Sequence, residues 1–241
     1  MAFEKIGFDL YDPRGGPDRL FQDQSRETCH GQCRHQKVRE TLAAGKYEEA
    51  LKQAKEITAQ VPAASGAEEA LYLQGYILAY GKSDFQGPRT PLKQLLDIYP
   101  AGSFAPQAQK LLADCQYWQG NYDRALKEYK KLGSANPGGA FDSYIQMQEA
   151  NCLLLNDKVA DALTAYRELV EKYPTDPLAD SAQMMIANTY LKLQNFAQAK
   201  KELQKLMSFS RNGDVQHAAQ KALRQIEEEE PFQKKGVGVP D

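Results

Sequence analysis

The chain is short of most residues that chemistry at a site requires. It holds three histidines, four cysteines and one tryptophan in 241 residues. It has no Gly-rich phosphate loop, no His-Glu-x-x-His and no Gly-x-Ser-x-Gly. Acid–base work would then fall to carboxylates, and Glu48, Glu49, Glu168 and Glu202 sit in the pattern of solvated helix faces. No enzyme and no cofactor are expected. A cationic surplus is missing too: 30 Lys and Arg against 32 Asp and Glu leave a net charge of −2. That balance argues against a nucleic-acid partner, because displacing counterions from phosphates needs positive charge. No run approaches the roughly 18 consecutive apolar residues of a membrane span. Residues 1–10 carry acids and no long apolar stretch, so the sequence as it stands reads as cytoplasmic, without a secretory signal.

What remains, 42% hydrophobic and 26% charged, is the balance of a folded protein. Its order is periodic. An aromatic or branched residue followed three positions later by Ala occurs as Tyr47/Ala50, Tyr122/Ala125, Val159/Ala162 and Phe196/Ala199, and Phe85 joins the series with Pro88 in place of Ala. The intervals are 38, 37, 37 and 37. An independent series, Pro62, Pro100, Pro137 and Pro174, is spaced 38, 37 and 37. Two unrelated markers on one period make this a repeat protein.

Each unit reads as two amphipathic helices. Ala182, Ile186, Ala187, Tyr190 and Leu191 recur at three- and four-residue spacing from a start near Pro177. Gln194-Asn195 breaks that helix, and Phe196, Ala199, Leu203 and Leu206 continue the next. The preceding units repeat the scheme, with breaks at Asn156-Asp157 and Gly120-Asn121. Ala113, Ala150 and Ala187 hold one position on the first helices, and Ala125, Ala162 and Ala199 another on the second, where only small side chains let helices approach. Tyr129, Tyr166 and Leu203 then fill one space between pairs, and Leu132, Leu169 and Leu206 another.

This pattern of small residue, aromatic, Ala, aromatic and Pro resembles the tetratricopeptide repeat over roughly residues 36–210. The 37-residue spacing and the phrase Glu171-Lys-Tyr-Pro-Thr-Asp-Pro-Leu-Ala-Asp180 are similar to the longer bacterial form of the Tol-Pal system periplasmic repeat protein and the outer-membrane assembly lipoprotein. The resemblance implies an all-α, tetratricopeptide-like α-solenoid of about five helix pairs plus a C-terminal capping helix. It also implies a non-enzymatic interaction scaffold or adaptor, with the periplasm or cell envelope as the alternative location. First helices of such arrays line a concave groove. Asp114, Asn151 and Asn188 fall at a groove position where an amide bonds the backbone of an extended ligand. Neighbouring groove positions hold Lys110, Met147 and Met184, then Tyr117, Leu154 and Leu191, with Trp118 and Lys192 beside them. Amides and Met together suit a hydrophobic peptide or helix segment of a partner protein. The alternative for the two Met is a half-buried structural role. A second reading makes the chain a structural subunit of a larger assembly, held by its N-terminal arm or convex face.

The ends and the irregular units complete the reading. Residues 1–24 form an irregular arm in which Phe3, Ile6, Phe8, Leu10, Tyr11, Leu20 and Phe21 surround the turn-forming run 12–18; an arm so apolar is expected to pack on the array or on a partner. The repeat domain spans 25–226, ending in a helix over 214–226 that Glu227–Glu230 and Pro231 close, and 227–241 form a mobile tail. The first helix starts between Ser25 and His35. In the second unit Thr90 is expected to cap a helix over Pro91–Ile98. Cys29, Cys33 and His35 are the one group with metal-ligand chemistry, but Cys-x3-Cys-x-His is not a zinc-finger spacing, and the alternative is a solvated helix start with incidental thiols. Cys115 and Cys152 occupy one repeat position and read as small buried residues.

Overall fold

The computed structural model describes residues 29–60, 66–135 and 137–234. These residues are helical, with no strand among them, and divide into two compact units between Pro137 and Gly138. The amino-terminal unit holds α1 (Cys29–Ala43), α2 (Tyr47–Gln60), α3 (Ala67–Tyr76), α4 (Arg89–Ile98), α5 (Ala105–Trp118) and α6 (Tyr122–Ala135). The carboxy-terminal unit holds α7 (Asp142–Leu155), α8 (Val159–Lys172), α9 (Pro177–Lys192), α10 (Phe196–Phe209) and α11 (Gly213–Lys234). Five helix pairs and one further helix are therefore in place, as the periodicity predicts. The arm of residues 1–24 lies outside the described residues, as does 235–241.

The marker residues are helix starts. Tyr47, Tyr122, Val159 and Phe196 open α2, α6, α8 and α10. Two positions before each, the backbone is left-handed: Gly45 at φ 70°, Gly120 at 77°, Asp157 at 59° and Gln194 at 57°. That conformation reverses the chain between paired helices, and glycine reaches it without steric cost. Asn195 caps α10 by accepting from Gln198 N at 3.2 Å, and Asp176 caps α9 by accepting from Leu178 N at 2.8 Å. The small residues sit at the crossings: Ala113, Ala125, Ala150, Ala162, Ala187 and Ala199 are all fully buried. Tyr129, Tyr166, Leu203, Leu169 and Leu206 are fully buried beside them.

The second pair departs from the pattern. In the last three pairs the small crossing residues lie 12 positions apart, as Ala113 and Ala125 do; Gly75 and Pro88 lie 13 apart. The extra residue is absorbed by a π turn, Ile77–Gly81, that continues α3, since i→i+5 bonding takes one residue more per turn. The 38-residue interval in the sequence therefore has a location. Ser83 still adopts φ 52° two positions before Phe85, but Phe85 opens no helix. Asp84 Oδ1 instead accepts from Gln86 N and Gly87 N, and α4 starts at Arg89 with Pro88 at the cap. The expected Thr90 cap is thus corrected. Pro91 fits because the first turn of a helix has no ladder bonds to lose. Gly75 permits the crossing with α4, as a Cβ there would lie 2.5 Å from Leu92 Cδ2.

The final helix also runs further than expected, through Pro231 to Lys234. Ala219, Ala222 and Ile226 bury one face of α11 with Leu203 and Leu206 of α10. A proline this near the end removes a single ladder bond, from the Glu227 carbonyl, and leaves the helix behind it intact.

Candidate functional site

On a helix, residues at i, i+3, i+7 and i+11 share one face. On α3 and its π turn these are Glu69, Tyr72, Tyr76 and Tyr80; on α5 they are Gln107, Lys110, Asp114 and Trp118. The two faces adjoin inside the amino-terminal unit. Tyr80 meets Trp118 edge-on with ring centroids 5.3 Å apart, and Tyr72 stacks on Phe104 at 5.3 Å. Tyr72 to Tyr76 is 6.2 Å, Tyr76 to Tyr80 4.6 Å, and Phe85 to Trp118 5.1 Å. Six rings therefore run in series from Phe104 to Phe85, each contact of the kind that contributes about 0.5–1.5 kcal/mol beyond its area. Tyr72 and Tyr76 are buried, whereas Tyr80, Phe85 and Trp118 are half-buried.

Asp114 anchors this cluster electrostatically. It is fully buried, accepts from Tyr129 Oη at 2.6 Å and pairs with Lys110 Nζ at 2.7 Å. Burial, reinforced by the Asp114 charge, pushes the Tyr80 phenol and the Cys115 thiol up, the thiol to about 12. Burial does the same for Tyr72, with the neighbouring Tyr76 next and Asp114 third. These groups stay neutral near pH 7, so the cluster offers rings and hydrogen bonds rather than a nucleophile. Two polar atoms on the α5 face are buried without a partner: the Trp118 Nε1 donor and the Gln107 Oε1 acceptor.

The equivalent face of the carboxy-terminal unit is built differently. Asn151 Oδ1 accepts from Tyr166 Oη at 2.6 Å, and its amide donates to Gln148 Oε1 at 3.1 Å. At the next repeat Leu203 stands where Tyr166 would be, and Asn188 is half-buried with no hydrogen bond to its side chain among the described residues. Asp114 and Asn151 are therefore turned to internal work, a correction to their expected place on a ligand-facing ladder. The cause is a tyrosine 15 residues further on, Tyr129 or Tyr166, whose hydroxyl reaches back across the pair. Met147 is fully buried among Ala150, Tyr166 and Ile186, which removes it from the surface. Met184 is half-buried against the α10 and α11 core, and Lys192 is exposed. Lys110, Tyr117 and Trp118 remain half-buried on α5, with Tyr117 against Tyr122 at 5.5 Å.

Tyr72, Tyr76 and Tyr80 escaped the sequence reading, although their four-residue spacing is legible. Their faces register with α5 at an offset of 38, not 37, because the π turn intervenes after them. The side chains of Cys29 and Cys33 lie outside the described residues. His35 is buried, its Nδ1 3.9 Å from Glu69 Oε2, and Glu69 is held by Arg39 Nε at 2.8 Å. No group of three metal-ligating side chains occurs among the described residues, and no described helix is long and apolar enough to cross a membrane.

Comparison with known proteins accords with this geometry. The tetratricopeptide repeat family profile matches residues 108–139, 144–176 and 181–209, so the last three helix pairs are tetratricopeptide repeats. No curated protein matches the chain. Among solved structures, MamA 41-end from Desulfovibrio magneticus RS-1 is similar at 18% identity and a TM-score of 0.62, covering 76% of this chain and 97% of its own. A putative kinesin light chain from Podosopora anserina with nearly identical TPR-like repeats is similar at 14% identity and a TM-score of 0.61, over 76% and 97%. YrrB, described as a TPR protein with an unusual peptide-binding site, is similar at 17% identity and a TM-score of 0.55, over 76% and 88%. At these identities the likeness is one of fold.

Proposed function

We propose that this tetratricopeptide repeat protein is an interaction scaffold that holds an extended segment of a partner protein, with the aromatic face of α3 and α5 as its main contact. The observation that carries the reading is the Tyr80–Trp118–Phe85 platform, in which two half-buried rings each meet the half-buried Trp118, whose indole N–H is buried and unpartnered. Aromatic side chains offer large contact area at small cost in rotamer entropy. An extended segment has its own main-chain donors and acceptors to satisfy, and Trp118 Nε1 and Gln107 Oε1, buried and unpaired, are the donor and acceptor that a small side-chain movement would turn towards it. Helices fixed by their neighbours lose little freedom when the segment docks, which leaves more of the contact energy as affinity. Lys110, Tyr117 and Trp118 keep a place in this site; Met184, Asn188 and Lys192 would serve as a lesser face of the carboxy-terminal unit.

A library of twelve-residue displayed peptides, panned on the full chain, tests the reading. Enriched peptides are expected to bind wild type in calorimetry and to lose about tenfold in affinity, about 1.4 kcal/mol, against Tyr80→Ala at unchanged helicity. Failure to enrich any peptide, or equal affinity for the variant, would overturn it.

A further inference from the structure

We infer that the partner segment held on the aromatic face carries an arginine, whose guanidinium lies on the Tyr80–Trp118–Phe85 rings and reaches the Asp84 carboxylate. This rests on the proposed role of that face and names the chemistry of its partner. The first support is the rings themselves. The face of an aromatic ring is electronegative, and a cation within about 6 Å of its centre is attracted. Tyr80 and Phe85 each meet Trp118, at 5.3 and 5.1 Å, and all three rings are half-buried, so part of each stays open to a ligand.

The second support is a carboxylate fixed beside them. Asp84 precedes Phe85 and is exposed. Its Oδ1 accepts from Gln86 N at 3.0 Å and Gly87 N at 2.9 Å, and among the described residues it makes no ion pair. A Cβ on Gly87 would lie 2.3 Å from Asp84 Oδ2, so the glycine keeps a side chain off the second oxygen. The Phe85 carbonyl accepts from Gln119 Nε2, which ties this loop to the end of α5. The carboxylate is close enough to α5 to act on the Cys115 thiol, three positions before Trp118: burial pushes that thiol up, and Asp114 and then Asp84 add to it.

The third support is the balance of charge around the rings. On α3, its π turn and cap, and α5, the cations are Lys82 and Lys110. Lys82 Nζ is bound to Glu48 Oε1 at 2.6 Å and Lys110 Nζ to Asp114 Oδ2 at 2.7 Å. Tyr72 meets Phe104 at the start of α5 and Tyr80 meets Trp118 at its end, so the two rods run in the same sense. Both bring a C-terminal, negative pole to the rings, and neither has a basic residue in its last turn. An arginine answers each feature. Its planar guanidinium stacks on a ring while its N–H groups donate to a carboxylate, where a lysine ammonium offers a point charge.

Trp118 is the chain's one tryptophan, so its indole N–H gives a single resonance that reports on the rings. N-acetyl-argininamide, titrated into the full chain, is expected to shift that resonance and to bind about tenfold more tightly than N-acetyl-citrullinamide, its uncharged isostere. Asp84→Asn keeps an Oδ1 acceptor for the loop and should cost the arginine probe about threefold at unchanged helicity, the loss shrinking as salt is raised. Peptides enriched from the library should carry an arginine. Equal affinity for the two probes, no shift with either, or an Asp84→Asn variant that binds like wild type would each overturn the inference. The two readings fail separately. Library peptides that bind through Tyr80 but lack arginine leave the scaffold site and sink the cation, whereas a bound arginine probe with no enriched peptide does the reverse.

Discussion

The two units build one backbone scheme and spend it differently. In the carboxy-terminal unit the pairs keep the 12-residue spacing between crossings, and Asn151 is closed off by Tyr166 and Gln148. In the amino-terminal unit one added residue opens a π turn, and Tyr80 joins a run of six rings that ends on half-buried Trp118 and Phe85. Where the second helix supplies a tyrosine, as at Tyr129 and Tyr166, its hydroxyl engages the polar first-helix residue and holds the pair together, whereas Asn188, opposite Leu203, keeps its amide free. The irregular pair brings Tyr80 and Phe85 against Trp118 of the next pair, whose indole N–H is left for another use. The three pairs whose small crossing residues keep the 12-residue spacing are also the ones that the family profile matches, at 108–139, 144–176 and 181–209. The likeness to the family and the candidate site therefore overlap only at α5.

The largest effect would come from breaking the regular half. Ala162 is fully buried at the crossing of α7 and α8. Ala162→Asp places a charge there without a partner, at a cost of about 3–5 kcal/mol. Hydrogen exchange should show amides of α7–α10 losing protection while those of α3 and α5 keep theirs. Equal loss in both units would mean that they do not unfold separately.

Next in size is the test of where polar groups do their work. Asn151→Ala removes two buried hydrogen bonds, the one accepted from the Tyr166 hydroxyl and the one donated to Gln148 Oε1, at about 1–3 kcal/mol. Asn188→Ala removes a half-buried amide without a side-chain bond and should change stability by less than about 0.5 kcal/mol. Thermal melts of the two variants decide it: similar shifts would return Asn151 to the surface role that its spacing predicts.

Deleting Ala79 would take the irregularity away. The 12-residue spacing from Gly75 to the second-helix crossing is then restored, and Tyr80 leaves the face. Helicity should hold while affinity for library peptides falls about tenfold, or about 1.4 kcal/mol. Full affinity after the deletion would make the π turn incidental to binding.

These cases show what was legible in the sequence and what was not. Helix starts at Tyr47, Tyr122, Val159 and Phe196 were legible because one small residue and one aromatic recur at fixed spacing, and packing demands them in each pair. Asp114 and Asn151 were misread because a single repeat position looks alike whether its amide faces a ligand or a tyrosine. The missing cue lay 15 residues away, in the Tyr129, Tyr166, Leu203 alternation. Tyr80 was missed because a search at 37 residues steps past a register that one insertion has moved. Pro231 was given too much weight, since a proline stops a helix only where ladder bonds remain to be lost.

The smallest effect concerns the turns that both units share. Four described reversals next to a second helix hold Gly45, Gly120, Asp157 and Gln194 at positive φ, and the glycines belong to the amino-terminal unit. A side chain in this conformation costs roughly 1–2 kcal/mol, less for Asp, whose short side chain bonds locally. Glycine removes that strain but makes the unfolded chain freer by about 0.4–1 kcal/mol. Gln194→Gly should therefore gain on balance about 0.5–1 kcal/mol, and Asp157→Gly less. The Asn195 cap of α10 is untouched by either change, because its bond runs forward to Gln198. Denaturant midpoints of the two variants measure the difference, and a lower midpoint for Gln194→Gly would show that the glutamine makes a contact worth more than its strain. With the gain confirmed, the carboxy-terminal unit proves to carry strain at both of its turns, whereas the amino-terminal unit has glycine at two turns, Gly45 and Gly120, and a non-glycine residue only at Ser83, so the half with the more regular spacing is not the half with the more relaxed backbone.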